Sequence, residues 1–508
     1  MQTQFSLLPG VREEGERKEE KDKYPCPPIA YRILVAGAGR QPCSFPTVRS
    51  KKRRLSDVFP TFGLRLLRID RRGANRDPVE SARRLPQDQL DALLLPTCKP
   101  GRASWRILDS SACVRSQRTE NIIIQGGWNN NCSSRVSTDP AQTVIDGNAS
   151  GSVISITSNS TATLEALTIT NGQSNKGGGV YVSGASPTLD NVVVSGNAIS
   201  TMLTSFPQGG GVYVGTGSIT LKGCDIAYNT AYQGAAPLAE GGGLGLDGGA
   251  HAVLNATRIM SNVNASGSTL YGGGVLLDSG SQVRFEGTEN LVAYNEATYG
   301  AGVYMWGNVD LEGALIAHNH AANWGGGVFV GAGYSGGRIA NNYLVGNNSG
   351  TKGSSMLVSH SNMEIANNTI VGDLTGSGAA IDITSSSSGD LKLTNNIVVS
   401  HTIGIRKDGS QSVILVTNDV WGNTTNYSGL SAGSTDIHID PQFVDPASED
   451  YHLTSDSQCI DAGTGVDRLH VDYDGERRPR PWFDIGADEY PKEFFIAASP
   501  LVLKSYSP

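Results

Sequence analysis

The phrase GGGVYV at 177–182 returns at 209–214. It recurs in altered form as GGGLGL (241–246), GGGVLL (272–277), GAGVYM (300–305), GGGVFV (325–330) and GSSMLV (353–358). Start-to-start spacings are 32, 32, 31, 28, 25 and 28 residues. A period of this size marks a protein of stacked repeats, since one such unit cannot bury its apolar face alone. Each copy carries a second mark, a short β-rich run ending in Asn, at Asn197, Asn229, Asn262, Asn295, Asn319 and Asn347.

The repeats have no helical period. Their apolar residues alternate or run in short Val- and Ile-rich blocks punctuated by Gly, Asn and Ser, which is strand-and-turn grammar. A glycine triplet is poor in a helix but suits a corner entered with positive φ. Asn at the other corner is expected to use the same left-handed region, and stacked coils would set its amides in a hydrogen-bonded ladder. Propeller blades need longer repeats, leucine-rich repeats need regular leucines, and helical solenoids do not tolerate this glycine content. The remaining architecture is all-β, a right-handed parallel β-helix. Within VYV the two-residue period puts Val180 and Val182 inside and Tyr181 outside. Long inserts sit at one corner, AISTMLTSFPQ before the second triplet and TAYQGAAPLAE before the third. Such an edge is commonly the binding side of a solenoid.

Charge is unevenly spread over the 508 residues. Residues 1–120 hold 24 Lys+Arg and 14 Asp+Glu, a net of +10, while the remainder nets −18. Only 7 of the 63 glycines lie in 1–120. That segment shows no repeat, and its opening MQTQFSLLPGVREEGERKEEKDK reaches charge before an apolar run can form, so no signal peptide is readable. The basic run at 48–55 has no aromatic or basic continuation that would suit nucleic acid. Repeat sequence begins abruptly at NIIIQGGW (121–128) with no capping element ahead of it. The segment is therefore expected to be non-native or mis-framed. Cys132, Cys224 and Cys459 are scattered and make no disulfide framework or zinc pattern. No apolar run reaches the 18 residues of a spanning helix.

Residues 436–490 read DIHIDPQFVDPASEDYHL, then IDAG, then VDYDGERRPRPWFDIGADEY. They resemble the choice-of-anchor Q region that follows right-handed parallel β-helix repeats in bacterial surface and secreted proteins. The matching residues include Asp440-Pro441, Phe443, Asp450 to Leu453, Ile460 to Gly463, Asp474-Gly475, Arg478-Pro479, Asp484 to Ala487 and Glu489. Gln458-Cys459 departs from the usual Pro-Ala. Residues 126–147 also resemble the first coils of such β-helices. The resemblance implies location at the cell surface or outside the cell and leaves the activity open. The expected organisation is a basic segment at 1–120, a β-helix at 121–435, a capping module at 436–490 and a tail at 491–508.

Catalysis on polysaccharides needs a base beside a carboxylate cluster, or two carboxylates at a set separation. The acids of 150–400 are scattered along the chain: Asp190, Asp225, Asp247, Glu286, Glu289, Glu296, Asp310 and Glu312. No catalytic residue is therefore assigned. Tyr181, Tyr213, Tyr304 and Phe329 hold the same outward position in their repeats, interrupted by Gly245 and Leu276, and Tyr299, Trp306, Trp324 and Tyr334 lie nearby. These aromatics are the expected platform for a glycan. Asp472, Asp474 and Asp484 are the candidate ligands of a calcium ion. His318 and His320 flank a corner without an adjacent third ligand. The expected function is a monomeric β-helix protein that contacts extracellular polysaccharide, as an adhesin or scaffold. The alternative is a pectate-lyase-like polysaccharide lyase or a glycoside hydrolase.

Overall fold

A computed structural model describes 121–490 apart from short breaks, chiefly 130–132, 158–160, 200–207, 232–237, 264–268, 307–309, 332–336 and 479–481. It also describes strands at Arg65–Ile69, Ala103–Ile107 and Cys113–Arg118. Among the described residues there is no α-helix, and none long and apolar enough to cross a membrane. The chain winds into a parallel β-solenoid. Its glycine-triplet strands form an 11-stranded sheet, and the runs ending in Asn belong to a 16-stranded one. A 5-stranded sheet closes the core in later coils, and a separate 5-stranded strip runs along one corner.

Register in the triplet sheet is strict. Val180 pairs with Val212, Val212 with Leu244, and the column runs on through Val275, Val303, Val328 and Met356. All are fully buried. Each removes an aliphatic side chain from water, a gain of about 1.5–3 kcal/mol.

The corners explain the two sequence marks. The first residue of each triplet takes positive φ, as at Gly209 (67°) and Gly325 (66°). The third glycine serves packing: a Cβ on Gly211 would lie 2.8 Å from both Asn229 Nδ2 and Gly243 O. Asn197, Asn229, Asn262, Asn295, Asn319 and Asn347 form the expected ladder, each Nδ2 donating to the next Oδ1 at 3.0–3.1 Å. The conformational expectation is corrected. The left-handed residue is the one before the ladder Asn, as at Tyr228, Ser261, Tyr294 and His318. The Asn is selected for its amide, which makes four hydrogen bonds in a buried corner, one of them from Nδ2 to the next Asn Oδ1. Asn262 Oδ1 accepts from both the backbone N–H and Nδ2 of Asn229, and Asn262 Nδ2 donates to Ile226 O.

Three further expectations change. Cys113–Arg118 pairs antiparallel with Asn121–Gln125, so a strand from the 1–120 segment extends the edge of the sheet of the first coil. The solenoid's far end is met by 425–437, where Asn418 donates to Asp436 Oδ1, Tyr427 donates to Asp436 Oδ2 and Leu430 packs on the core. The module that follows lies along the flank. Tyr451, Leu453, Cys459, Ile485 and Ala487 cover the outward face of Tyr343, Val345, Val371, Ile397 and Val399. That outward face is apolar and needs cover, which is why the module sits beside the coils. The origin proposed for 1–120 lies mostly outside the described residues, as does the tail at 491–508.

Candidate functional site

The outward face of the triplet sheet carries three parallel columns. The first is the residue before each triplet: Lys176, Gln208, Glu240, Tyr271, Tyr299, Trp324 and Lys352. The second is the middle residue of each strand: Tyr181, Tyr213, Gly245, Leu276, Tyr304, Phe329 and Leu357. The third follows the strand: Asp247, Asp278, Trp306 and Gly331, tied from coil to coil by Asp278 N–H to Leu246 O and Trp306 N–H to Leu277 O. Columns one and three flank column two, which forms the floor between them. The floor drops at Gly245, where the three atoms nearest an added Cβ are backbone atoms of Gln208 and Gly209.

This notch gathers charge. Lys176 Nζ donates to Tyr213 Oη at 2.8 Å and lies 3.4 Å from Asp247 Oδ2, while Tyr213 donates to Asp247 at 2.8 Å. Lys176 also sits 4.5 Å over the Tyr213 ring, a cation–π contact. Gln208 Nε2 donates to Glu240 Oε2 at 2.6 Å. Burial pushes Glu240 above its ordinary carboxyl range. The Gln208 hydrogen bond and Lys176 oppose that rise, while Asp278 and Asp247 add to it. Asp247 goes the other way. Burial disfavours its charge, but the Tyr213 hydrogen bond, the Lys176 ammonium and the Gly248 N–H outweigh that and hold it low. Neighbouring carboxyls pushed in opposite directions can divide the roles of proton donor and charged partner.

Beyond the notch the groove turns aromatic. Tyr304 stacks on Phe329 at 5.0 Å, Tyr271 on Tyr299 at 5.2 Å, and Trp324 on Phe329 at 6.3 Å. Tyr213, Tyr304 and Phe329 do point away from the core, yet they are buried, because the neighbouring columns close over them. The expected platform is thereby corrected. Its accessible parts are Trp306 and Trp324, each 40% exposed, with Tyr299 and Tyr181 half-buried. Tyr334 lies outside the described residues.

The family model described as "Right handed beta helix region" matches residues 142–313 and 242–425, more than half the chain. The chain belongs to the right-handed β-helix family. No curated protein matches it. Among solved structures, the periplasmic alginate epimerase AlgG aligns over 77% of this chain and 98% of its own, at 10% identity and TM-score 0.30. A double mutant of that enzyme aligns over 78% and 99%, at 10% identity and TM-score 0.28.

Elsewhere on the β-helix, the candidate calcium ligands do not converge. Asp472 accepts the N–H groups of Glu476 and Glu489, and Asp484 those of Asp461 and Tyr490. Both are buried turn caps, spent on backbone donors that would otherwise be orphaned. Asp474 stands apart, paired with His452 Nε2 at 2.8 Å. The motif around them is a docking device: Arg478 is buried, forms an ion pair with Glu489 and donates to Asn341 Oδ1, Gly486 O and Ala487 O on the solenoid flank and its own turn. His318 pairs with Glu449 at 2.9 Å and His320 is exposed, so they do not form one site. A second polar cleft of about 510 Å³ is lined by Asp310, Arg338, Glu364 and Lys392. Its charges alternate along the stack and pair, Lys392 with Glu364 at 3.3 Å and Arg338 with Glu312 at 3.2 Å.

Sequence reading missed Lys176, Glu240 and Asp278. Their signal was present in the triplet register. Lys176 and Glu240 each precede a triplet by one residue, and Asp247 and Asp278 each follow the strand by one. Spacing along the chain hid what stacking brings together.

Proposed function

We propose that this β-helix protein binds a polysaccharide chain along the three-column groove, outside the cell or at its surface. The observation that supports this most is the groove itself: an acidic, hydrogen-bonding notch continuous with exposed indole edges at Trp306 and Trp324. Aromatic faces give a sugar ring apolar area, and carboxylates accept from its hydroxyls. Three carboxyls (Glu240, Asp247 and Asp278) against one ammonium make the notch acidic. It therefore favours neutral or amino-sugar chains and disfavours uronates. The resemblance of 436–490 to the choice-of-anchor Q region supports the surface or secreted setting, with the protein acting as a monomer. An array of neutral, amino and uronate oligosaccharides tests the reading. Trp306→Ala and Trp324→Ala should each weaken capture of neutral chains about tenfold, a loss of ~1.4 kcal/mol. Preferred capture of uronates, or wild-type capture by both variants, rejects it.

The split between Glu240 and Asp247 favours a second reading, hydrolysis with Glu240 as acid and Asp247 as its charged partner. Reducing-end release by the wild type, lost in Glu240→Gln, would establish it. Absence of product from every chain bound on the array leaves the non-catalytic adhesin or scaffold reading.

A further inference from the structure

The flank where the C-terminal module meets the solenoid holds a second cluster, remote from the groove in sequence and in face. His452 lies on the strand Asp450–Leu453, Asp474 in the turn at 473–474, and Asp488 just after the bend at 485–487. One ligand atom from each of the three lies within 4.8 Å of the others. His452 Nε2 is 2.8 Å from Asp474 Oδ2, and its Nδ1 is 2.5 Å from Asp450 Oδ1. Asp488 is 5% exposed, and its Oδ2 accepts the Leu453 N–H at 3.1 Å.

An independent observation comes from the solenoid side. Tyr343 is 5% exposed, and its hydroxyl has no hydrogen-bond partner. Its ring stands edge-on to Tyr473 at 4.7 Å and to His452 at 6.3 Å. Burial raises the pKa of this phenol most, and the Asp488 and Asp474 carboxylates raise it further. A buried phenol with nothing to bond, packed edge-on against His452 and Tyr473, is costly, and such groups call for a missing partner.

We propose that His452, Asp474 and Asp488 bind a divalent transition cation of the zinc class, with the Tyr343 hydroxyl hydrogen-bonded to a water that completes its coordination. One imidazole nitrogen with two carboxylate oxygens suits zinc or its first-row neighbours, whereas calcium and magnesium prefer oxygen alone. Asp450 is the positioning residue. It holds Nδ1–H and so presents the Nε2 lone pair to the metal, the usual outer partner of a ligating histidine. Any proton on Nε2 leaves to solvent when the metal binds. The ion ties a strand and two turns of the module together against Tyr343, and so fastens the module to the coils.

The test uses the full chain, stripped with chelator and then dialysed against Zn²⁺ alone at neutral pH. One equivalent should bind, and the melting temperature should rise. Asp474→Asn replaces an exposed residue and should keep the fold by circular dichroism while weakening zinc at least 100-fold. Tyr343→Phe should weaken it up to about tenfold, and Ca²⁺ should not compete. The proposal is overturned if wild-type protein binds no stoichiometric zinc, or if folded Asp474→Asn and His452→Gln retain wild-type affinity. In either case His452 is an imidazolium bridging Asp450 and Asp474. Glycan capture is read separately and does not enter this outcome.

Discussion

The two faces of the triplet sheet share every strand and almost nothing else. The inward column is uniform: Val180, Val212, Leu244, Val275, Val303 and Val328 are all fully buried. The outward column one residue along reads Tyr181, Tyr213, Gly245, Leu276, Tyr304 and Phe329. Each inward side chain packs on the same position in the next coil, so every coil faces the same demand. The outward positions answer to whatever lies over them. In the later coils that is an aromatic lid, and at Gly245 it is a notch flanked by acids. A solenoid thus separates stability from recognition within a single strand.

The sharpest way to break this contrast is to put charge on the inward column. Val212→Asp loses a buried aliphatic and gains an unpaired buried carboxylate, a cost on the order of 5 kcal/mol. It should unfold local coils, seen as a lower melting temperature and new protease sites. An unchanged melt would contradict the packing described above.

The interior also predicts a pH dependence. His401 is 4% exposed, with Nδ1 at 2.7 Å from Val399 O and Nε2 at 3.1 Å from Ser355 Oγ. Burial lowers its pKa to about 4 from the ordinary 6.5, against the Val399 hydrogen bond and Asp373. Between those values the unfolded chain takes up a proton that the folded chain refuses. Stability should therefore fall as pH drops from 6.5 to 4, by up to about 3 kcal/mol from this group. Buried Asp419, raised to about 7 mainly by burial, acts in the opposite sense below pH 7. The difference between wild type and His401→Gln isolates the histidine: the variant should lose the steeper acid limb in melts across pH 4–7.

The ladder corner should respond less. Asn262→Ala leaves the Asn229 backbone N–H and one of its two Nδ2 hydrogens without an acceptor in a buried corner, while Nδ2 keeps its bond to Val194 O. About 2–3 kcal/mol should be lost in urea unfolding. Asn255→Ala, on an exposed residue of the same coil, should cost under about 0.5 kcal/mol.

Much of the interior was legible because stacking enforces repetition. The triplets, the alternating valines and the six ladder asparagines are all visible at a period of 24–33 residues. A second ladder through Asn342, Asn368, Asn396 and Asn418 went unread, though its Asn-Asn pairs mark it. In each pair Asn341, Asn367 or Asn395 turns with positive φ and the second residue enters the ladder. The outward site was harder to see because nothing repeats there. Glu240, Asp247 and Asp278 are neighbours only once the coils are stacked. The burial of Tyr304 depends on Tyr271 and Trp306 from adjacent columns. In the C-terminal module, Asp472 and Asp484 looked like ligands because turn caps and metal sites use the same carboxylates.

The smallest structural change tests the central claim, that the groove over Gly245 receives a glycan. Leu276 occupies the same position one coil on, and Gly245 does not need positive φ, so Gly245→Leu should fit the sheet and fill the notch. A Cβ there meets Gly209 N at 3.1 Å and Gly209 Cα at 3.3 Å, so the backbone at Gly209 must give by a few tenths of an ångström. The measurement is a calorimetric titration of wild type and Gly245→Leu with a neutral oligosaccharide captured on the array. The account predicts affinity at least tenfold weaker with the melting temperature nearly unchanged. Equal affinity in a folded variant would contradict it.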